Sequence, residues 1–546
     1  MKSSQNLSRG CARPTWQPLA ILLGAWITAA GFPASGATCE SLAQLKLPAT
    51  TITVAQPVPA GSFTPPKSQP IPNLPAFCRV TGVIQPSPDS HIEFEVWLPV
   101  SGWNGKLQGV GNGGFAGSID YGEGGLSGAL SRGYAAAATD TGHQGSGIDA
   151  RWALGHPEKV IDFGHRAIHE TAVKARAIIG AFYGNGPKRA YFSSCSNGGR
   201  QALMEAQRYP EDYDGIIAGA PANYWTHLMA GFLWNSQATV ADAESFIPSR
   251  KLAALQAATL AACDALDGVK DGVIDDPTRC QFDPAKLLCA GAETDACLTA
   301  PQIGALRKIY TGPQTSKGEK RFPGYLTGGE AGQGGWSAWI TGAAPKMSLH
   351  YIFGTQCFAN MVAENAAWDY KTFDVDAGTR AADSKIGPVL NATNPDLSRF
   401  RARGGKLIMY HGWSDAAIAP VNAINYYKSA VVKAGTKDAD TFLRLFMVPG
   451  MQHCGGGPGP DAFGQYGAAQ GDAEHDMARA LERWVEQGIA PERIIATKFK
   501  SGKPPEPVRT RPLCRYPEVA QWKQSGSTDD AANFVCAVPV ATKTGK

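Results

Sequence analysis

The chain has 546 residues, of which 43% are hydrophobic and 18% are charged, so it can bury a large core in one big domain with an insertion or in two domains. Its 51 basic and 47 acidic side chains leave a formal net charge of +4. This near balance gives no reason to expect a protein that binds nucleic acid or a membrane surface.

The N-terminus has the order of features found in export signals. Basic residues precede the apolar run "LAILLGAWITAAGF", which is followed by the small-residue stretch "PASGAT". A membrane anchor is the alternative, but the run is short and soon interrupted. We predict a signal peptide over residues 1–37, cleaved near Gly36 or Ala37, and a secreted or periplasmic protein with no membrane attachment after cleavage. Eleven of the 12 cysteines then remain, which predicts disulfides and at least one free thiol.

Strand and helix patterns alternate through the first part of the chain. "HIEFEVWLPV" alternates apolar and polar residues as a half-buried strand does, and "GKLQGVGNGGFAG" leads from a strand into a glycine-rich loop. "HETAVKARAIIGAFYG" has helical spacing and ends in glycine, and "KRAYFSSCSNGGRQALMEAQRYP" reads as strand, turn and helix. This alternation predicts an α/β fold with a parallel sheet covered on both faces.

The alternation breaks in the middle of the chain and then resumes. Residues 225–395 contain tryptophans, paired cysteines and aspartates but few strand patterns. The α/β pattern returns with "GGKLIMYHGWSD", "TFLRLFMVPGMQHC" and the helical "DAEHDMARALERWVEQG", for which Asp472 is the predicted N-cap. We therefore predict a core in two parts, residues 38–224 and 396–546, split by an inserted domain over residues 225–395.

Ser196 is a candidate nucleophile. It stands in a strand-to-helix turn, where α/β-hydrolases carry their nucleophilic serine. A serine hydroxyl is a poor nucleophile and needs a base, an orienting acid and donors for the oxyanion. Gly198 and Gly199 permit close packing of helix and strand, although Ser194 stands where the usual motif has glycine. A capped helix start without chemistry is the alternative.

Asp415 and His453 follow the serine in the order of acid and then base that α/β-hydrolases use. Each comes directly after a predicted strand. Two other histidines compete less well. His411 lies on the same segment as Asp415, and His143 precedes the serine and is either a structural hydrogen-bonder or part of the pocket.

A cysteine stands beside each of two candidate catalytic residues. Cys195 directly precedes the serine, and Cys454 directly follows His453. A disulfide between them would bring their Cα atoms within roughly 4.4–6.8 Å and so hold nucleophile and base together. The alternative, with Cys195 as the nucleophile, is disfavoured by the second cysteine beside the histidine.

The oxyanion requires two backbone N–H groups. One is expected from Asn197, directly after the nucleophile, and the other from the glycine-rich loop "GNGGFAG". Gly114 is our first choice in that loop and Gly113 the second. An ordinary glycine turn is the alternative.

These features resemble the tannase and feruloyl esterase family. The resemblance is carried by "CSNGGRQ", "GWSD", "HC" and "GNGGFAG", and it extends from Cys39 to the C-terminus. It implies an α/β-hydrolase core with a large inserted lid domain and a Cys195–Cys454 bridge. The implied catalytic triad is Ser196, Asp415 and His453.

The resemblance also implies a function. Family members cleave esters of aromatic acids such as ferulate and gallate, and a related branch cleaves a monoester of terephthalate. We therefore expect a secreted serine carboxylic ester hydrolase that forms an acyl-enzyme from a small aromatic ester; its oligomeric state cannot be read from the sequence. The alternatives are a terephthalate monoester hydrolase and a catalytically inactive, calcium-stabilised binding protein on a hydrolase scaffold.

The inserted region is expected to supply the aromatic-acid pocket. Candidates are Trp336, Trp339, Phe353 and Phe358, each of which is equally explained as part of the lid core. A terephthalate monoester would present a free carboxylate, for which arginine is the natural partner. No arginine occurs between Arg321 and Arg380, which favours phenolic acids.

An aspartate-rich stretch, "CDALDGVKDGVIDDPTRC", predicts a calcium site in the inserted region. Its closely spaced carboxylates and intervening carbonyls suit Ca²⁺, although the spacing is not that of an EF-hand and a solvated acidic turn is the alternative. The resemblance implies a structural ion. Its ligands would be Asp264, Asp267 and Asp271 and the carbonyls of Val269 and Val273.

The remaining cysteines suggest further disulfides, although sequence alone leaves their connectivity open. Cys263 and Cys280 bracket the calcium loop, and Cys357 is left unpaired. The other pairs expected from proximity and from the resemblance are Cys289–Cys297, Cys39–Cys78 and Cys514–Cys536.

Overall fold

A computed structural model describes residues 36–66, 68–465, 471–500 and 505–539. The predicted signal peptide, residues 1–37, lies outside these ranges except for its last two residues. No helix in the described ranges is long and apolar enough to cross a membrane.

Strands occupy the two ends of the described chain, and helices occupy its middle. The strands are β1 (Thr50–Val58), β2 (Gly61–Phe63), β3 (Ile71–Leu74), β4 (Phe77–Ile84), β5 (Ile92–Pro99), β6 (Lys106–Val110), β7 (Ala135–Thr139), β8 (Arg189–Cys195), β9 (Gly215–Gly219), β10 (Lys406–Gly412), β11 (Leu443–Val448), β12 (Arg493–Lys500), β13 (Glu506–Cys514), β14 (Val519–Trp522) and β15 (Phe534–Ala537). The α-helices are α1 (Leu126–Ser131), α2 (Pro157–Ile161), α3 (Ala167–Tyr183), α4 (Asn197–Arg208), α5 (Trp225–Val240), α6 (Leu252–Cys263), α7 (Ala300–Thr311), α8 (Trp336–Trp339), α9 (Leu349–Cys357), α10 (Val375–Lys385), α11 (Gly387–Leu390), α12 (Ser398–Ala402), α13 (Val421–Ala434), α14 (Thr436–Ala439) and α15 (Met477–Gln487).

A nine-stranded sheet, in the order β1-β4-β5-β7-β6-β8-β9-β10-β11, forms the centre of the fold. Neighbours from β7 through β11 run parallel. Strands β1, β4, β5 and β7 pair antiparallel, so the prediction of a fully parallel sheet is wrong for this part. The link from β4 to β5 is too short for the helical crossover that parallel neighbours require, and these two strands therefore form an antiparallel pair.

The parallel half of the sheet is buried on both faces. Along β10, Leu407 and Met409 point into one apolar cluster and Ile408 and Tyr410 into another. Helices α3, α4 and α13 contribute to the first cluster and α15 to the second. Because alternate side chains of a strand point to opposite faces, this arrangement explains the nearly continuous apolar runs in these strands.

Helix α15 begins later than the sequence pattern predicted. The carboxylate of Asp476, rather than that of Asp472, accepts the helix-capping hydrogen bond from the N–H of Arg479 at 2.9 Å. Asp472 instead accepts hydrogen bonds from the N–H groups of Glu474 and His475. The predicted cap is therefore wrong because Asp472 closes a turn of its own before the helix starts.

The region between β9 and β10 contains helices and loops but no named strand in the described chain. Its apolar side chains, among them Trp225 and Phe353, share one buried cluster with Phe115 and Ala416. Phe115 follows β6 and Ala416 follows β10, so this region packs on loops at the carboxyl ends of the parallel strands. Ligand sites of α/β sheets lie at that edge.

Candidate active site

Ser196 occupies the sharp turn between β8 and α4. Its backbone has φ 67° and ψ −125°, outside the regions that non-glycine residues ordinarily adopt. The N–H of Ser196 donates to the carbonyl of Gly219 on β9 at 2.9 Å, which anchors the turn to the sheet. Such strain persists only where the surroundings impose it and is typical of functional sites.

Glycines allow the turn to accommodate Ser194. A Cβ atom at Gly199 would lie 2.2 Å from the carbonyl oxygen of Gly219, so α4 reaches the sheet only because this position lacks a side chain. A Cβ atom at Gly198 would lie 1.9 Å from Oγ of Ser194. The serine in place of the usual glycine therefore fits in the space that Gly198 leaves open.

Ser196, His453 and Asp415 form a continuous hydrogen-bonded chain. Nε2 of His453 lies 2.9 Å from Oγ of Ser196, and Nδ1 lies 2.9 Å from Oδ2 of Asp415. An ionised carboxylate can only accept, so Nδ1 carries the imidazole proton and Nε2 is left to accept the serine hydroxyl. This is the tautomer that a general base for the serine requires.

The surroundings of Asp415 keep its carboxylate charged. Burial by itself would raise its pKa, but the charge of His453 and hydrogen bonds from His411 and His453 outweigh burial and hold the pKa below its ordinary value. Oδ1 also accepts from the N–H groups of Ala417 and Ile418, at 2.8 and 2.9 Å. The acid is thus fixed in position and charge.

His411, which sequence analysis weighed as a competing base, lies on the other side of the acid. Its Nε2 is 3.0 Å from Oδ2 of Asp415 and 3.0 Å from the carbonyl of Ile418. Both partners accept hydrogen bonds, so Nε2 of His411 carries a proton and cannot serve as the base for Ser196.

A disulfide joins the residues next to the serine and the histidine. Cys195 and Cys454 have Cα atoms 6.0 Å apart and are separated by 259 positions in the chain. Cys454, like Ser196, has a positive φ, at 64°. The bridge therefore links two strained backbone segments, one carrying the serine and the other the histidine.

The other described cysteines, apart from Cys357, form the disulfides that were expected. Cys357 is free and buried, and burial raises the pKa of its thiol to about 12, which leaves it unreactive. The four further disulfides are Cys39–Cys78, Cys263–Cys280, Cys289–Cys297 and Cys514–Cys536.

The glycine-rich loop after β6 lies beside the serine. Gly114 has φ 57°, and a Cβ atom there would lie 2.2 Å from the carbonyl oxygen of Gly147. No described residue accepts a hydrogen bond from the Gly114 N–H. Asn197 opens α4, where backbone N–H groups lack partners within the helix. Both N–H groups are therefore available as donors, and their role in an oxyanion hole stays a prediction.

Two side chains hold this loop: Gln201, to which the sequence analysis gave no role, and His143, for which a structural hydrogen bond was one of the two expected roles. Gln201 Oε1 accepts from the backbone N–H of Asn112 at 3.0 Å. His143 Nε2 lies 2.8 Å from the carbonyl of Phe115, and burial lowers the pKa of His143 to about 4. A neutral His143 therefore donates to the loop instead of titrating. In the sequence, the polar residues within "GNGGFAG" and "SNGGRQ" were the features that could have indicated these contacts.

A cavity of about 340 Å³ opens over Ser196, lined also by Gly114, Trp339 and His453. The indole of Trp339 meets the imidazole of His453 edge-on, with ring centroids 5.0 Å apart. Phe353 lies parallel to Trp339 at 6.1 Å but is itself buried and does not line this cavity. Of the four aromatic residues proposed from sequence, Trp339 is therefore the one that lines it.

Trp336 and Phe358 do not line this cavity either. Trp336 is buried against Tyr310, and Phe358 packs between Trp368 and Phe373. Trp336 and Trp339 both belong to the short helix α8, but only Trp339 lines the cavity.

A serine at a strand-to-helix turn, followed in the chain by an acid and then a histidine on later strand ends, defines the α/β-hydrolase fold. The family model described as tannase and feruloyl esterase matches residues 78–537, and the chain belongs to that family. It is a carboxylic ester hydrolase.

Two relatives and one solved structure illustrate the similarity. An uncharacterised esterase of Xanthomonas campestris pv. campestris is 46% identical, covering 94% of this chain and 93% of its own length. The mono(2-hydroxyethyl) terephthalate hydrolase of Piscinibacter sakaiensis is 34% identical, covering 85% of each chain. The crystal structure of feruloyl esterase B from Aspergillus oryzae has a TM-score of 0.85 at 29% identity, covering 91% of this chain and 99% of that one.

Proposed function

We propose that the protein hydrolyses esters of phenolic aromatic acids, such as ferulate or gallate, through an acyl-enzyme on Ser196. The proposal depends above all on the chain of 2.9 Å contacts from Ser196 through His453 to Asp415. Nε2 of His453 takes the hydroxyl proton as Oγ attacks the ester carbonyl. Asp415 holds the imidazole in place and stabilises its positive charge.

The remaining steps use the same groups. The N–H groups of Gly114 and Asn197 donate to the oxyanion as it forms. His453 returns its proton to the leaving alcohol, and a water molecule, deprotonated by the same Nε2, then hydrolyses the acyl-enzyme. Every proton transfer takes place at Nε2 of His453, so the position of this imidazole has to be well defined.

The walls of the cavity support an aromatic acid that carries no second charge. Trp339 supplies an apolar ring face beside His453, and Phe353 packs parallel to that indole at 6.1 Å. Among the described residues, no arginine or lysine lines the cavity over Ser196, whereas Asp120 does. A terephthalate monoester, the substrate named for the relative from P. sakaiensis, would leave its carboxylate unpaired here.

A substrate panel tests this proposal. We expect methyl ferulate or methyl gallate to exceed mono(2-hydroxyethyl) terephthalate in kcat/KM by about 10-fold or more, because burying an unpaired carboxylate is costly. Initial rates with each ester at matched pH and ionic strength give the comparison. Preferential cleavage of the terephthalate ester would reject the proposed acid specificity and favour the alternative.

We also propose that the protein is exported. Five disulfides support this, because such bonds persist in oxidising compartments. The N-terminal pattern predicted from sequence agrees with it, although that segment lies outside the described residues.

A calcium ion in the loop that follows α6 is a further proposal. All of its expected ligands are oxygens, which Ca²⁺ prefers. Gly268 and Gly272 have φ of 87° and 80°, and these left-handed residues bend the loop around its carboxylates. The proposed ligands are the carboxylates of Asp264, Asp267 and Asp271 and the carbonyl oxygens of Val269 and Val273.

The surroundings of these carboxylates set the conditions for binding. Burial raises the pKa of Asp267 to about 6, a cost that a neighbouring cation would offset. Asp271 Oδ2 accepts from Nη2 of Arg511 at 2.5 Å, and Asp264 accepts from the N–H of Gly272. Within the described ranges no three His, Cys, Asp or Glu side chains are arranged to hold a metal ion. Arg511, with Arg509 at 3.3 Å, therefore competes with an ion for the carboxylate of Asp271.

Chelation tests the calcium proposal. We expect EGTA to lower the melting temperature by about 5 °C or more, because an ion that binds only the folded state stabilises it. Added CaCl₂ should restore the melting temperature, and Asp267→Asn should remove the response. Asp276→Asn, outside the proposed ligand set, is the matched control. An unchanged melting temperature after both chelation and calcium addition would reject the site.

A further inference from the structure

A second cavity adjoins the one over Ser196. It has a volume of about 610 Å³, and Trp339 and His453 line both cavities. Its other walls are three glutamines and two glycine-rich loops, residues 332–334 and 455–457. The imidazole and the indole therefore form the boundary between two spaces that meet at the catalytic residues.

The chemistry of ester cleavage decides which part of the substrate lies beside His453. In the proposed mechanism Nε2 gives its proton to the leaving alcohol oxygen, so that oxygen has to come within hydrogen-bonding distance of Nε2. The acyl carbon stays bonded to Oγ of Ser196 and lies over the first cavity. The alcohol portion therefore extends past the imidazole into the second cavity.

The walls of this second cavity present neutral hydrogen-bonding groups. Gln256, Gln333 and Gln452 line it, and no Asp, Glu, Lys or Arg of the described ranges does. Each glutamine amide has both a donor and an acceptor, which matches hydroxyl groups that also do both. An indole face adds an apolar surface against which C–H groups can pack.

Gln452 is held in position for this role. The residue is only 2% exposed, and its Nε2 donates to the carbonyl of Ala331 at 3.3 Å. A Cβ atom at Gly334 would lie 3.0 Å from Oε1 of Gln452, and one at Gly335 would lie 3.0 Å from its Nε2. The adjacent glycines thus give the amide close backbone packing, and no described residue donates to Oε1.

Gln256 presents the complementary group. Its Oε1 accepts from the backbone N–H of Ala331 at 2.7 Å, which leaves the NH₂ group to donate. Ala331 therefore orients both amides, one through its N–H and the other through its carbonyl. One glutamine offers the cavity an acceptor and the other offers it donors.

We propose that this cavity is the leaving-group subsite and that Gln256 and Gln452 select esters whose alcohol portion is neutral and carries free hydroxyl groups. The inference rests on the proposed serine mechanism, which places the leaving oxygen at His453. It assigns alcohol specificity to α6 and to the segment before His453, and acid specificity to the cavity over Ser196 with Trp339.

Two esters of one acid test this subsite. The glyceryl and methyl monoesters of ferulic acid differ only in the hydroxyl groups of the alcohol. We expect Gln452→Met to lower the ratio of kcat/KM for the glyceryl ester to that for the methyl ester by about five-fold, mainly through KM, because a neutral hydrogen bond is lost. Gln256→Met should act in the same direction, and Gln521→Met on β14, which lines neither cavity, should leave the ratio unchanged.

The outcomes separate this subsite from other roles. Equal losses on both esters would mean that Gln452 only supports His453, and an unchanged ratio would mean that the alcohol lies elsewhere. A changed preference between ferulate and acetate at constant alcohol would place the acid in this cavity. Each of these results overturns the proposal. Failure of the unmodified protein to cleave methyl ferulate would instead reject the proposed function.

Discussion

Replacing Ser196 with alanine is expected to lower kcat by about 10⁴-fold or more, with little change in the melting temperature. The hydroxyl is the group that attacks the ester in the proposed mechanism, and His453 cannot substitute for it from 2.9 Å away. The backbone hydrogen bonds of the turn involve main-chain atoms, so alanine retains them. The variant should therefore fold as the unmodified protein does.

Labelling with a fluorophosphonate probe checks the same prediction independently of the substrate. The unmodified protein and Ser194→Ala should react with the probe, and Ser196→Ala should not. Steady-state kinetics and circular-dichroism melting complete the measurement. If the unmodified protein failed to react while remaining folded, the alternative of an inactive scaffold would be favoured, and retained activity in Ser196→Ala would reject the mechanism.

Removing the bridge beside the catalytic residues should affect both stability and rate. The double variant Cys195→Ala/Cys454→Ala opens a loop that spans 259 positions. For a loop of this length the chain-entropy model gives a loss of about 5 kcal/mol in the free energy of unfolding. Catalytic geometry tolerates little displacement, so we also expect kcat to fall by about 10²-fold under conditions in which the variant is folded.

The disulfide between Cys289 and Cys297 provides a matched control. It closes a loop with a separation of only 8 positions and lines neither cavity at the active site. Its removal should cost about 2.5 kcal/mol in the same model and leave kcat unchanged. Denaturant unfolding and steady-state kinetics on both double variants make the comparison. A loss of stability without loss of rate in the Cys195 and Cys454 variant would show that the bridge does not position the histidine.

The strained backbone explains why this disulfide should matter more for catalysis than the length of the loop that it closes suggests. Ser196 and Cys454 both have positive φ, at 67° and 64°. Such conformations cost about 1–3 kcal/mol each and persist only where other contacts impose them. The disulfide is one of those contacts, because it ties the two strained segments to each other.

Local patterns were enough to predict several elements of this protein. Period-two alternation predicted β5, and helical spacing with a terminal glycine predicted α3, which ends at Tyr183 before Gly184 with φ 77°. The strand-to-helix turn at Ser196 was predicted because its residues are consecutive in the chain. These features depend on neighbouring residues, whose preferences are readable from a single sequence.

Features formed between distant segments were harder to predict. The antiparallel half of the sheet depends on how strands pair across space, and the hydrogen bond between His453 and Asp415 joins the segments that follow β11 and β10. Trp336 and Trp339 have the same residue type and nearly the same position, yet only Trp339 faces the serine. No local pattern distinguishes such pairs.

The sequence by itself determined the order of strands and helices, the candidate serine, acid and histidine, and the family to which the chain belongs. Only the tertiary structure decided that these three side chains lie within hydrogen-bonding distance, which face of the inserted region meets them, and that Gln256 and Gln452 share a cavity with the imidazole. The physical reason is that residue preferences act over a few neighbours, whereas sites are assembled by packing that joins segments hundreds of residues apart.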